Sequence, residues 1–163
     1  MRTTMLFDFS KETPPSSWQI VDDVVMGGVS KGNFKIDEFG LGVFSGNVSL
    51  ENNGGFSSVV HRMQPLDCSN FSGFRIKVKG SGSLYQFRVK STKSSRYSYS
   101  HAFDTTGNWQ SIDILFKDME AVFRGSAVTV PNYSGDPLTE IRILIGNKKP
   151  QEFRLLIDKI ELF

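Results

Sequence analysis

The polar residues best concentrated for chemistry lie in two stretches, each with a glycine pair: Trp18-Gln19-Ile20-Val21-Asp22-Asp23-Val24-Val25-Met26-Gly27-Gly28-Val29-Ser30 and Asn52-Asn53-Gly54-Gly55-Phe56-Ser57-Ser58. Adjacent carboxylates at Asp22 and Asp23 suggest general acid/base work, but neighbours on an extended chain point to opposite faces and are poorly placed to act on one substrate. Paired glycines suggest a phosphate cradle, which needs the turn to open a helix whose first amides face the anion. Neither turn does so: Gly28 leads into Val29-Ser30-Lys31-Gly32, and Gly55 leads into a strand-like run. Both stretches also suit plain turn building, because glycine supplies positive φ or close backbone approach and Asp22 or Asn53 can accept from neighbouring amides. Turn building and ligand contact are compatible. Trp18, Asp22, Asp23, Met26, Gly27, Gly28, Ser30, Asn53, Gly54, Gly55 and Phe56 are therefore the candidate binding loops.

Other catalytic constellations are missing from the sequence. Two histidines, His61 and His101, leave few ways to assemble a nucleophilic triad; no G-x-S-x-G elbow occurs, and Cys68 has no catalytic signature around it. The same residues lack zinc-ligand spacing. Asp8 and Asp158 could approach one another if the terminal strands pair, but two carboxylates do not define a calcium site. The expectation is a non-enzyme without a cofactor or metal.

The elements that would position these loops are strands. Apolar and polar residues alternate with period two along most of the chain, and no long segment carries helical spacing. Strands are expected at 6–9, 34–36, 43–50, 56–61, 74–79, 85–90, 97–103, 110–115, 141–145 and 153–163, separated by loops rich in Gly, Ser, Asn and Asp. From 116 to 133 the pattern is weaker, with a turn of helix at Phe116 to Met119 and a loop from Phe123 closed by Pro131 and Pro137. Many short strands without βαβ spacing predict a β-sandwich or barrel, and the whole of 1–163 reads as one domain.

The two strands flanking Gly80-Ser81-Gly82-Ser83 read as an antiparallel hairpin. Phe74, Ile76 and Val78 would then face the core with Tyr85, Phe87 and Val89, setting Arg75 opposite Arg88 on the outer side. Arg75, Lys77, Lys79, Arg88 and Lys90 would form a basic face, extended by Lys93 and Arg96. Like charges opposed across strands repel, so such a face is either fully solvated or shaped for an acidic partner.

Composition narrows the partner classes. The 163 residues are 39% hydrophobic, enough for a sizeable core, and a net charge of +2 is far from the strongly basic balance of a dedicated nucleic-acid binder, so nucleic acid is not the expected partner. Tyr97, Tyr99 and Phe103 beside Arg96 could stack bases, but aromatics at alternate positions also form one packed face of a strand. No run approaches the length of a membrane span, and the first residues show no apolar signal region. One cysteine permits no internal disulfide, which points to a reducing cytoplasm.

The motif Trp18 with Asp22-Asp23-Val24-Val25-Met26-Gly27-Gly28-Val29-Ser30, then Phe44-Ser45-Gly46-Asn47-Val48-Ser49-Leu50 and Gly54-Gly55-Phe56-Ser57-Ser58, resembles the complex I intermediate-associated protein family. Later echoes are Trp109 with the strand to Phe116, Phe123-Arg124-Gly125, and Phe153-Arg154-Leu155 to Ile160. The resemblance implies a jelly-roll sandwich similar to galactose-binding and carbohydrate-binding modules, and brings no catalytic residues. It also implies an assembly or interaction role with a protein partner, respiratory complex subunits among them. Carbohydrate binding is the alternative; it needs exposed aromatic platforms, for which Trp18, Trp109, Tyr97 and Tyr99 are the candidates.

Overall fold

Alternating side chains need two apolar faces to bury against each other, and the computed structural model, which describes residues 3–23 and 27–163, shows two antiparallel sheets doing so. In chain order the strands are β1 (Thr4–Asp8), β2 (Gln19–Asp22), β3 (Lys31–Ile36), β4 (Gly42–Val48), β5 (Ser57–Leu66), β6 (Gly73–Lys79) and β7 (Leu84–Lys90). They continue as β8 (Ser98–Asp104), β9 (Trp109–Leu115), β10 (Glu120–Phe123), β11 (Ser126–Ala127), β12 (Leu138–Ile145) and β13 (Gln151–Leu162). One sheet runs β3-β4-β13-β6-β9, with β1 also paired to β13; the other runs β11-β10-β8-β7-β12-β5-β2. The result is an all-β sandwich of the jelly-roll type.

The core lies between the sheets. Phe74, Ile76 and Val78 of β6 and Leu155, Ile157, Ile160 and Leu162 of β13 meet Tyr85, Phe87 and Val89 of β7 and Ile141, Ile143 and Ile145 of β12. In β13 the inward set is spaced by two except across Asp158, where a bulge inserts one residue against β6 and keeps Ile160 and Leu162 pointing inward. Among the described residues no helix is long and apolar enough to cross a membrane.

Strands β2, β10 and β11 were not expected from the sequence, and β5 and β12 extend beyond their predicted bounds. The turn at Phe116–Asp118 forms as a single turn of 3-10 helix. A larger difference concerns the expected hairpin. β6 pairs with β9 and β13, β7 pairs with β8 and β12, and residues 80–83 carry the chain from one sheet to the other. Each strand shows its apolar side to the core as expected, because alternation specifies which face is buried; it does not specify the neighbouring strand. Arg75 therefore lies opposite Asp113 and Glu161, and Arg88 lies opposite Arg142 and Ser100.

Candidate binding face

Asp22 ends β2 at the seam where the two sheets meet, and Asp23 follows it. One Asp22 oxygen accepts from Gly32 N of β3 at 2.8 Å and the other from Ser57 Oγ of β5 at 2.5 Å, so a single side chain ties both sheets together. Asp23 accepts from Ser30 N, Ser30 Oγ, Gly55 N and Phe56 N at 3.0, 2.5, 2.7 and 3.2 Å. A carboxylate offers about four lone-pair sites, so these donors leave none for a substrate. Burial pushes the Asp23 carboxyl up, but the bonds from Ser30, Gly55 and Phe56 outweigh it and hold the group below its ordinary range. With its one proton on Asp23, Ser30 Oγ continues the network to Ser49 by accepting from that residue's amide at 2.8 Å.

The glycine pairs serve this network. Gly27 has φ +91°, whereas Gly28 is needed for room: a Cβ there would run into the Asp23 carboxyl group. Gly54 abuts the same carboxylate from the other loop. Trp18 is buried, packed against Phe7, Phe9, Phe34 and His61, and the His61 ring donates through Nδ1 to the Ser17 carbonyl, since a carbonyl oxygen can only accept. Phe56 is half-buried; Met26 and the side chain of Asn53 lie outside the described residues. The structure thus brings both candidate loops together, around an interior carboxylate.

The residues expected to form one basic face are divided between opposite outer surfaces. Arg75, Lys77 and Lys79 lie outside the six-stranded sheet among acids. Arg75 Nε and Nη2 donate to the two Asp113 oxygens at 2.6 and 3.0 Å, which holds the Asp113 carboxyl below its ordinary range. Lys77 Nζ lies 3.4 Å from Asp158 and 5.8 Å from the centre of the Trp109 ring. Asp158 does approach the first strand, through its carbonyl to Phe9 N, but no group of three metal-binding side chains occurs among the described residues.

Arg88 and Lys90 lie on the outside of the seven-stranded sheet, in a different setting. There the middle side chains point away from the core yet are buried: Ser58, Val60, Glu140 and Leu144 are each less than 7% exposed. Sheet residues buried on their outer side mean that this face curls into a trough. Depressions flank the middle, one of about 550 Å³ lined by Gln86, Ser100, Lys117, Glu120 and Asn132, the other beside Ser16, Gln19 and Arg62. From β2 to β10 the trough crosses six strands, about 24 Å at the usual strand spacing.

Its floor carries three guanidiniums and one nearby carboxylate, which two of them share. Arg62 Nε lies 3.3 Å and Arg142 Nη2 3.9 Å from Glu140, and Arg62 also donates to Gln19. Arg88 donates through Nε and Nη2 to Gln86 Oε1, and among the described residues no carboxylate lies within ion-pair distance of it. Burial, then the Arg142 charge, lowers the pKa of Arg88; burial likewise lowers that of Arg142, partly offset by Glu140. The sequence reading missed Arg62, Glu140 and Arg142. The signal for the last two was present, since Glu140-Ile141-Arg142-Ile143 alternates charge with isoleucine.

The aromatic candidates are not in this trough. Trp18 is interior, Tyr99 packs on Tyr97 and Tyr133, and Trp109 is exposed on the opposite sheet. Similarity to solved structures nevertheless shows the fold. A family 11 carbohydrate-binding module of a cellulosomal cellulase of Clostridium thermocellum superposes with a TM-score of 0.74 at 18% identity, covering 99% of this chain and 94% of that one. A structure of the family 11 module of the same organism, in complex with a β-1,3-1,4-mixed-linked tetrasaccharide, gives 0.73 at 20% identity over 99% and 95% of the two chains. An agarase is similar over 24% of its length and 98% of this chain, at a TM-score of 0.65 and 14% identity. No curated protein matches the sequence significantly. The motifs built around Asp23 fall within residues 7–157, which match the model of the complex I intermediate-associated protein 30 family, and the chain belongs to that family.

Proposed function

We propose that residues 1–163 act as one non-enzymatic binding domain of the assembly-factor kind, which holds a protein partner on the trough of the seven-stranded sheet. Respiratory complex subunits are the first candidates, as the family name suggests, and a cytoplasmic location suits the single buried thiol of Cys68. The observation that carries this reading is the buried, polar and incompletely neutralised floor around Arg88 and Arg142. An exposed surface without a binding role has little reason to keep such groups out of water. The hydrogen bonds of Asp22 and Asp23 to Ser30, Gly32, Gly55 and Ser57 are the frame that fixes β2, β3 and β5 relative to one another.

Carbohydrate is the second reading, favoured by the likeness to family 11 modules and by Gln86, Ser100, Glu120 and Asn132 along one depression. Against it stands the absence of a Phe, Tyr or Trp ring among the described residues that line the two depressions.

Affinity capture from a lysate of the source cell, with retained proteins identified by mass spectrometry, separates the two. Ser100 points into the trough beside Arg88, Gln86 and Glu120, so Ser100→Trp should block the surface while leaving every charge on it in place. The expected result is that the parent retains respiratory subunits, Ser100→Trp loses them, and Lys77→Glu with Lys79→Glu on the opposite sheet keeps them. Capture that survives Ser100→Trp overturns the trough as the docking surface; no specific protein, together with binding on a glycan array, favours the carbohydrate reading.

A further inference from the structure

Arg88 and Arg142 are directly opposed on β7 and β12, in the middle of the trough. Like charges so placed destabilise the sheet, and their half-buried setting adds to the penalty. Their neighbours offset it only in part: Glu140 is shared between Arg142 and Arg62, Gln86 offers Arg88 one neutral oxygen, Arg142 Nη1 donates to Ser58 Oγ at 3.4 Å, and among the described residues the buried Arg142 Nε has no hydrogen-bond partner. Two positive charges remain in excess over the carboxylate on this part of the floor, with Lys90 beside Glu140 on the next pair. An arrangement unfavourable in the free protein becomes favourable once an anion fills it, because carboxylate and guanidinium form paired, charge-assisted hydrogen bonds.

Resting on the reading of the trough as the docking surface, we propose that Arg88 and Arg142 form an anion subsite that takes a side-chain carboxylate from an extended acidic segment of the partner polypeptide. The shape fits: about 24 Å of trough accommodates roughly seven residues of extended chain. A floor carrying arginines and lined by no Phe, Tyr or Trp ring suits peptide amides and carboxylates better than the apolar faces of sugar rings. The two neutralised arrangements on the opposite sheet, Arg75 with Asp113 and Lys77 with Asp158, mark the difference, since those cations already have their carboxylates.

The test uses defined probes: a ten-residue Glu-Ser repeat peptide, its Gln-Ser counterpart, and an oligogalacturonate of similar length. Binding is followed by calorimetry and by the Nε–Hε signals of the arginines in NMR spectra. The Glu-Ser peptide should bind the parent, shift the signals of Arg88 and Arg142, and bind roughly thirtyfold or more weakly to Arg88→Gln and Arg142→Gln. The Gln-Ser peptide should not bind, and Lys77→Gln with Lys79→Gln should behave as the parent. A second readout needs no ligand: Arg88→Met removes the like-charge pair and should raise Tm by about 2–4 °C. A lower Tm would show that the pair serves the fold and would overturn the subsite. Equal weakening by variants of both sheets would reduce the effect to overall charge and overturn it as well. Tighter binding of oligogalacturonate than of the peptide overturns the polypeptide as occupant. If the parent ignores every acidic probe while Ser100→Trp still abolishes capture of respiratory subunits, the anion subsite falls and the docking surface stands.

Discussion

Asp23 accepts four hydrogen bonds from three residues of two loops, and this defines what its substitution does. Asp23→Asn keeps the shape but removes the charge and puts an amide donor against donors, so a loss of about 2–4 kcal/mol is expected in denaturant melts at pH 7. The pH dependence has a definite sign. Because the folded carboxyl is held below its ordinary range, its contribution is fully present above the unfolded value of about 3.9 and is lost as pH falls through the lower folded value. Melts between pH 5 and pH 2 should therefore show the parent converging on Asp23→Asn. Gly28→Ala forces a methyl group into the same carboxyl group and should cost about 1–3 kcal/mol by the same measurement. The sequence pointed to a turn held by a side-chain acceptor at Asp22 or Asn53, whereas the acceptor that gathers the loop amides is Asp23. Its cross-loop reach was not legible: Asp23 and Gly55 are 32 positions apart, and only the fold makes them neighbours.

Strand β13 is the element on which most of one sheet depends, since it pairs with β4, β6 and β1. A chain ending at Lys159 loses Ile160 and Leu162, both interior, and most of the pairing to β1. Buried aliphatic residues contribute about 2–5 kcal/mol each, and the pair therefore approaches the whole stability of an ordinary domain. The expected outcome is loss of near-ultraviolet circular dichroism and of a cooperative melt; a truncated chain that melts like the parent would refute it. Alternation alone located nearly every long strand and its inward face. It misplaced the partnership of β6 and β7 because a Gly-Ser connection of four residues can close a hairpin or cross between sheets, and the flanking apolar pattern is identical in both cases. That one error merged two surfaces of different character into a single basic face. It also hid Arg142, which lies 54 positions beyond Arg88 and meets it only through the pairing of β7 with β12.

At the scale of the whole molecule the two outer surfaces differ in charge pairing: Arg75 and Lys77 each meet a carboxylate on one, whereas Arg88 and Arg142 oppose each other on the other. Cys68 reports on the integrity of the interior between them. Burial first, then Asp67 and Asp136, pushes its thiol up to about 11, so at pH 8 almost no thiolate exists in the folded protein. Labelling by a thiol reagent should be slow in buffer and should accelerate along the urea unfolding curve followed by circular dichroism; rapid labelling of the native protein would contradict the buried placement. The sandwich class was legible because composition and period constrain it from many positions at once, whereas the trough was not, because curvature is a property of the assembled sheet that no single strand carries. The pairing of β1 with β13 sets Thr4 against Leu162, side by side in antiparallel strands. Tension applied through those two ends would open the β1–β13 ladder one rung at a time, like a zipper, instead of shearing all its hydrogen bonds together. A domain tethered in this way yields to small forces at its ends, and its mechanical weak point lies on the sheet opposite the trough.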